Sequence, residues 1–380
     1  MKEIWGKVVS FLKILGMIAE YNPFHNGHLY HINKIKQLYK DSIIILVVNG
    51  YFMQRGEASI LSKQSKTEIA LDNNIDLVLE LPAIFGTQSA DKFAYHSIEI
   101  LNYFKVDKII FGSESNNIKI LENIADEQLK NNHQDSIKEY LKSGLNYPTA
   151  LAKKLNIKFN YNNPNDLLAI SYIKAIKQIN SNIEFECIKR TNDYHDIKSN
   201  NTIISASNIR NKIKDNLDIS TYLPSLSQNK ILTINYKLLF SLLKYKINTC
   251  DNLNIYLDVD EGIENKLKKE INNAKNIDDF ITHIKSKRYT YNKLKRMLIH
   301  ILLDFKKNDN LTTIQYIKIL GFNYNGQNYL NKIKKNITIP LKPEKESTTY
   351  KIEHNAVILY DLITDSQARD FEIKNKPIKK

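Results

Sequence analysis

Two histidines three positions apart, His25 and His28, flank Gly27 within the stretch GMIAEYNPFHNGHLYH, residues 16–31. An imidazole donates a hydrogen bond to a phosphoryl oxygen and, when protonated, offsets negative charge that develops there. The glycine lets backbone come close to an anion. Apolar residues before Tyr21 read as a strand, and those after Gly27 read as a helix. The pair therefore stands at a helix N-terminus, where backbone N–H groups lack intrahelical partners. Such a turn is a seat for the α- and β-phosphates of a nucleotide. A bare H-x-x-H also arises as a cap or as satisfied core residues; its place after a first strand gives it weight.

The elements that must position this turn are legible from hydrophobic periodicity. Residues 13–21, 43–48, 76–81, 106–111 and 183–189 read as strands, nearly continuous in apolar character. Helices are expected at 27–39, where Ile32, Ile35 and Leu38 recur near a 3.6-residue period, at 61–73 and 90–104, and through most of 118–180. Alternation of this kind points to an α/β fold, a Rossmann-like parallel sheet covered on both faces. Ligands of such sheets bind beyond the carboxyl ends of the strands, where the strand order reverses. Tyr21–His28, Asn49–Gly56, Gly112–Ser115 and the segment from Arg190 all come after strands, so one crevice can collect them.

The α/β domain is expected to span residues 12–224. Residues 225–380 read as a mainly α-helical, basic C-terminal domain, with helices near 228–247, 262–274, 276–286 and 290–306, no continued strand–helix alternation, and one strand at 355–362. Residues 1–11 fit poorly with a first strand that begins at about Lys13 and are expected to be a non-structural extension, a start codon assigned too early.

The 380 residues carry 42% apolar side chains, enough for a sizeable core, and a net charge of +14 that suits a polyanion, RNA first among them. A generally lysine-rich proteome is the competing explanation. Cys187 and Cys250 are the only cysteines and show no metal-ligand spacing, so no structural zinc is expected and a reducing compartment is. No apolar run approaches the roughly 18 residues of a membrane span. No membrane association and a cytoplasmic location are the expectation.

The turn AEYNPFHNGH resembles the HxGH signature of the nucleotidyltransferase superfamily, shared with class I aminoacyl-tRNA synthetases. More narrowly, the chain resembles the bacterial tRNA(Met) cytidine acetate ligases. The matching segments run in order: GMIAEYNPFHNGHLYH, NGYFMQRGE (49–57), DLVLELP (76–82), FGSES (111–115), PNDLLAISY (164–172), IKR with YH (188–195), SASNIR (205–210) and KRYTYNKLKRML (287–298).

That resemblance implies a two-step reaction. Acetate attacks the α-phosphate of ATP, giving acetyl-adenylate and pyrophosphate, and the acetyl group then passes to N4 of the wobble cytidine of elongator tRNA(Met). Mg²⁺ enters as the counter-ion of ATP. The resemblance places ATP along Ile18, Ala19, Glu20, Tyr21, Asn22, Pro23, Phe24, His25, Asn26, Gly27, His28, Leu29, Tyr30 and His31, with His25 and His28 catalytic on the phosphates. It adds Gly112, Asn165 and Arg190 as nucleotide contacts. A turn glycine, a helix N-cap and a surface ion pair are the respective competing roles. Arg210, after Ser205 and Ser207, resembles an ISxTxIR segment that holds the β,γ-phosphates, although Asn208 departs from the usual hydroxyl spacing.

Lys285, Lys287, Arg288, Lys293, Lys295 and Arg296 surround Tyr289 and Tyr291, a combination that suits phosphate contact and base stacking in an anticodon loop. The tRNA contact is expected from Lys287, Arg288, Lys293, Lys295 and Arg296; a solvated helix face is the competing reading. Gln54–Glu57 either lines the acetate or cytidine pocket or forms an ordered loop with a surface ion pair. Ser62-Lys63-Gln64-Ser65-Lys66 looks like the synthetase KMSKS loop but falls between the second and third strands, not after the last, and is set aside. Two other functions stay open at this point: a small-molecule adenylyltransferase or cytidylyltransferase, and a non-catalytic RNA-binding protein with a vestigial nucleotide pocket.

Overall fold

A computed structural model describes residues 12–130, 133–143, 147–157, 159–160, 163–190, 202–286, 289–374 and 376–380. Seven strands form one sheet: β1 (Lys13–Ala19), β2 (Ser42–Asn49), β3 (Leu77–Leu81), β4 (Lys108–Ser113), β5 (Glu184–Lys189), β6 (Ile319–Phe322) and β7 (Ile378–Lys379). Their order is β5-β4-β1-β2-β3-β6-β7. The first five strands are mutually parallel, and β6 runs antiparallel to β3. β1 thus lies between β4 and β2, so the chain reverses direction across the sheet beside it.

Side chains alternate between the two faces of the strands, as the period of two requires. Leu15, Met17, Ile44, Leu46, Val48 and Ile110 pack against Ile32 and Ile35 of α1 (Asn26–Leu38) and Ile69 and Ala70 of α2 (Lys63–Asp72). On the other face Ile43, Ile45, Val47, Leu77, Leu79 and Ile109 meet Phe93 and Ile98 of α3 (Ala90–Tyr103) and Ile170 and Ile173 of α4 (Pro164–Gln178). After α5 (Ala206–Lys214) a second core forms, in which Leu243 of α6 (Tyr236–Thr249), Phe280 and Leu294 are fully buried. It includes the apolar side of α7 (Tyr291–Leu302).

The chain then returns to the sheet. β6 and β7 add to the β3 edge, where no further strand is expected from sequence. Residues 355–362, read as a strand, lie instead in α8 (Thr348–Ile363). An apolar run of that length cannot distinguish strand from helix, and here Ala356, Val357, Leu359, Tyr360 and Ile363 are buried at helical spacing.

The return is fastened by charge. The fully buried Lys63 ammonium contacts Glu80 at the end of β3, Glu353 of α8 (2.7 Å) and Glu372 of α9 (Ala368–Lys374) (2.6 Å). Burial alone would lower its affinity for a proton, but Glu353, Glu372 and Glu80 hold it well above the ordinary lysine value. Burial pushes Glu80 up to about 7. Lys66, one turn along α2, donates to the carbonyls of Asn49 (3.1 Å) and Gly50 (2.8 Å). The KMSKS lookalike is therefore the start of α2, and its lysines point into the protein.

Candidate active site

β1 ends where Tyr21 takes a left-handed backbone conformation (φ 48°) and α1 begins five residues later. His25 is the N-cap of α1, and its Nδ1 accepts from the Gly27 N–H at 3.0 Å. His28 Nδ1 accepts from the His25 N–H at 3.3 Å, closing a reciprocal capping box. The His28 N–H in turn donates to the His25 carbonyl at 2.8 Å. The two imidazoles thus take up the backbone N–H groups of His25 and Gly27 at this turn. With Nδ1 accepting in both rings, the proton of each neutral imidazole sits on Nε2. The histidines thereby carry the donor function outward from the backbone.

These rings are uncharged. Burial, followed by the Arg190 and Arg210 cations, brings His25 down to about 3. Burial also holds His28 well below its ordinary value, helped by His25 and Arg190, and brings His31 down to about 4. The neutral rings each offer an N–H donor. A bound polyphosphate would draw protons toward them.

A cleft of about 740 Å³ opens over the carboxyl ends of β1, β4 and β5. Ile18, Ala19, Glu20, Tyr21, Asn22, His25, Gly27, His28, Tyr30 and His31 line it, as do Gly112, Asn165, Arg190 and Arg210. The buried Nε2 of His31 has no hydrogen-bond partner among the described residues. Pro23, Phe24, Asn26 and Leu29 do not line the cleft. Phe24 is core, its ring stacked 5.6 Å from that of His28, and Asn26 ties α1 to the carbonyls of Thr202 and Thr221.

The β4 and β5 side is organised by two carboxylates that sequence reasoning passed over. Glu114 accepts from Asn165 Nδ2 at 2.5 Å and lies 4.0 Å from Arg190 Nε. Asp166, fully buried, accepts from Ser113 Oγ at 2.5 Å and from the N–H groups of Glu114 and Ser115, each at 3.1 Å. The turn after β4 is thus pinned to the start of α4. Asn163, not Asn165, is the N-cap of α4, which leaves the Asn165 side chain at the cleft. The signal available in sequence was the pairing of the acidic and hydroxyl residues of GSES with PND. A Cβ on Gly112 would stand in ordinary contact with Arg190 Cγ, at 3.4 Å.

Across the cleft, the 49–57 loop lies against α7. Gly56 has a φ of +73°, and a Cβ there would stand 2.5 Å from the Arg296 nitrogen. Glu57 binds Arg210 Nη2 at 3.0 Å and Lys295 Nζ at 2.8 Å. Burial opposes its charge, but Arg210 and Lys295 hold its carboxyl below the usual range. Arg210 also donates to the Asn22 carbonyl at 2.7 Å. The 54–57 stretch thus reaches the cleft and ties it to a distant helix.

Residues 12–375 match the family described as HIGH Nucleotidyl Transferase. The tRNA(Met) cytidine acetate ligase of Fusobacterium nucleatum subsp. nucleatum is 40% identical over 348 residues, covering 86% of each chain. That of Geobacillus sp. (strain WCH70) is 36% identical over 393 residues, covering 96% of this chain and 98% of the relative. The chain belongs to the tRNA(Met) cytidine acetate ligase family. The crystal structure of Thermotoga maritima TmcAL bound with alpha-thio ATP superposes on it with a TM-score of 0.83 at 28% identity, covering 97% of this chain and 99% of that one. The apo form gives 0.84 over the same coverage.

For a member of this family, the expected RNA-binding patch of α7 divides. Lys287 and Arg288 lie outside the described residues. Lys295 is engaged with Glu57, and Arg296 lines the cleft with its Nε buried and without a partner among the described residues. Lys293 stands over the Tyr289 ring, 4.8 Å from its centre. Tyr289 itself is buried, its hydroxyl donating to the Asp260 carbonyl at 2.6 Å, so it offers no stacking face. Tyr291 is the more exposed of the two tyrosines. No helix among the described residues is long and apolar enough to cross a membrane.

Proposed function

We propose that this protein activates acetate with ATP as acetyl-adenylate, releasing pyrophosphate, and transfers the acetyl group to N4 of the wobble cytidine of elongator tRNA(Met). The observation that carries this reading is the HxGH turn, whose two histidines line a cleft that also holds Arg190 and Arg210. Acetate is a poor acyl donor, and the cytosine N4 lone pair is delocalised. Joining acetate to AMP supplies the leaving group that both shortcomings demand.

His25 and His28 would donate to the α-phosphate region, where charge grows as the carboxylate enters. Gly112, Asn165 and Arg190 would hold the nucleoside and its phosphate on the β4 and β5 side. Arg210, poised at the helix start beside Ser207, would take the outer phosphates. The three-carboxylate cluster Glu80, Glu353 and Glu372 lies away from the cleft and already holds Lys63. Mg²⁺ would therefore arrive on the nucleotide, with phosphate oxygens and water as its ligands. Arg296, Lys293 and the cations near them would receive the RNA in the 225–380 region. A tRNA substrate suits a cytoplasmic reaction.

The test is direct. Incubation of the protein with ATP, Mg²⁺, labelled acetate and total tRNA, followed by digestion to nucleosides, is expected to yield labelled N4-acetylcytidine. Label in no nucleoside would refute the proposal.

A further inference from the structure

We infer that Glu20 accepts the N4 proton during acetyl transfer, an assignment that rests on the acetate ligase reading above. Transfer must dispose of a proton. The N4 lone pair forms a bond to the acetyl carbonyl carbon, the bond from that carbon to the AMP oxygen breaks with its electrons leaving on AMP, and one N4 hydrogen departs as a proton. Some group on the acceptor side of the adenylate has to receive it.

The histidines are poorly suited to that role. His25 and His28 both spend Nδ1 on backbone N–H groups, so each presents an N–H, not a lone pair, at Nε2. His31 lies one turn further along α1 and shares its surroundings with Arg190, which, after burial, lowers its affinity for a proton. Of the carboxylates at the cleft, Glu57 has one oxygen on Arg210 and the other on Lys295.

Glu20 differs from all of these. It comes directly after β1 and lines the cleft. Its Oε1 accepts from Asn49 Nδ2 at 2.8 Å and from the Gln54 N–H at 2.7 Å. Two donors on one oxygen fix the carboxylate and leave Oε2 uncommitted among the described residues. Both donors come from the end of β2 and the loop after it. Glu20 therefore stands on the flank of β1 opposite the Gly112, Asn165 and Arg190 group. The titratable neighbours that sense its charge are Lys66 of α2 and the buried Tyr172 of α4. A proton taken at Oε2 can pass from there to water in the open cleft.

Two measurements on one variant test this. E20Q preserves size and the acceptor oxygen for Asn49 and Gln54 but cannot take a proton. Acetyl transfer to tRNA(Met) and acetate-dependent ATP–pyrophosphate exchange are measured in parallel, with a thermal melt to establish folding. The ratio of transfer to exchange is expected to fall by about 10²-fold, the scale of a lost general base. E20D, which restores a carboxylate, is expected to recover part of that ratio. An unchanged ratio in E20Q, or equal losses in both reactions, would overturn the assignment. If E20Q melts early, both reactions are read below its melting temperature, and a ratio there equal to the parent's overturns it equally. Absence of N4-acetylcytidine from the parent enzyme would instead refute the ligase reading itself.

Discussion

The two walls of the cleft handle charge in opposite ways. On the α1 side, one contiguous segment supplies His25, His28 and His31, and burial strips all three of their charge. On the α7 side, Glu57, Arg210 and Lys295 come from positions up to 238 residues apart and keep their charges by matching them. A wall of neutral donors gains electrostatic strength only when an anion arrives. A wall of matched ions is already satisfied and holds parts of the chain together. The first suits chemistry on a phosphate, and the second suits alignment of the loop and helix that frame it.

The largest test of this contrast is His28→Ala. Loss of one preorganised donor is expected to cut acetate-dependent ATP–pyrophosphate exchange by about 10²–10³-fold, with circular dichroism unchanged. A loss under tenfold would remove the neutral-donor wall from the chemistry.

Acid stability is the next. The histidines bind protons more weakly in the folded chain than in the unfolded one, whose value is near 6.5. Below that pH the unfolded state therefore takes up more protons. Stability is complete above about pH 6.5 and falls as pH drops toward 4, by up to about 1.4 kcal/mol per pH unit for each histidine. Urea melts from pH 7.5 to 5 read this slope, and His25→Gln is expected to shallow it. ATP should oppose the loss, because the phosphates favour the protonated rings.

Glu57→Gln probes the matched wall. It leaves two cations facing an amide, with an expected cost of about 1–2 kcal/mol in urea unfolding. Its effect on urea unfolding should add to that of His28→Ala in the double variant, since none of the charges that act on His28 belongs to that wall. The smallest effect belongs to the outer face of α7. Lys293→Glu is expected to weaken tRNA binding and to reduce the salt dependence of the logarithm of affinity by about one unit of slope. Lys295→Glu, by breaking the Glu57 contact, should disturb thermal stability as well, and equal behaviour of the two variants would erase the distinction.

The same contrast separates the legible parts of the molecule from the hidden ones. The five parallel strands and the α1 turn are local: each is written in consecutive residues by apolar runs, a glycine and a helix start. That β4, β5 and α4 would bring Gly112, Arg190 and Asn165 to that turn is a consequence of the crossover rule for such sheets. The capping box was hidden, because histidine is an unusual N-cap and the pattern names no tautomer. Glu114 and Asp166 were hidden for another reason: their function is to grip one another's loops, 52 residues apart. The return of β6 and β7 was illegible because strands of four and two residues carry too little periodicity. Lys63 in a carboxylate nest was the least legible, since lysine in isolation reads as surface.

That nest reaches beyond packing. The ammonium near the start of α2 depends on carboxylates contributed by β3, by α8 and by α9, the last lying 309 positions further along the chain. Trimming the molecule before Glu372 would take away a countercharge from a lysine that has no route to solvent. Damage at the extreme rear would then surface in the second strand–helix unit, directly beneath the loop that carries Gln54 and Glu57. The last dozen residues are in this sense part of the floor on which the reaction stands.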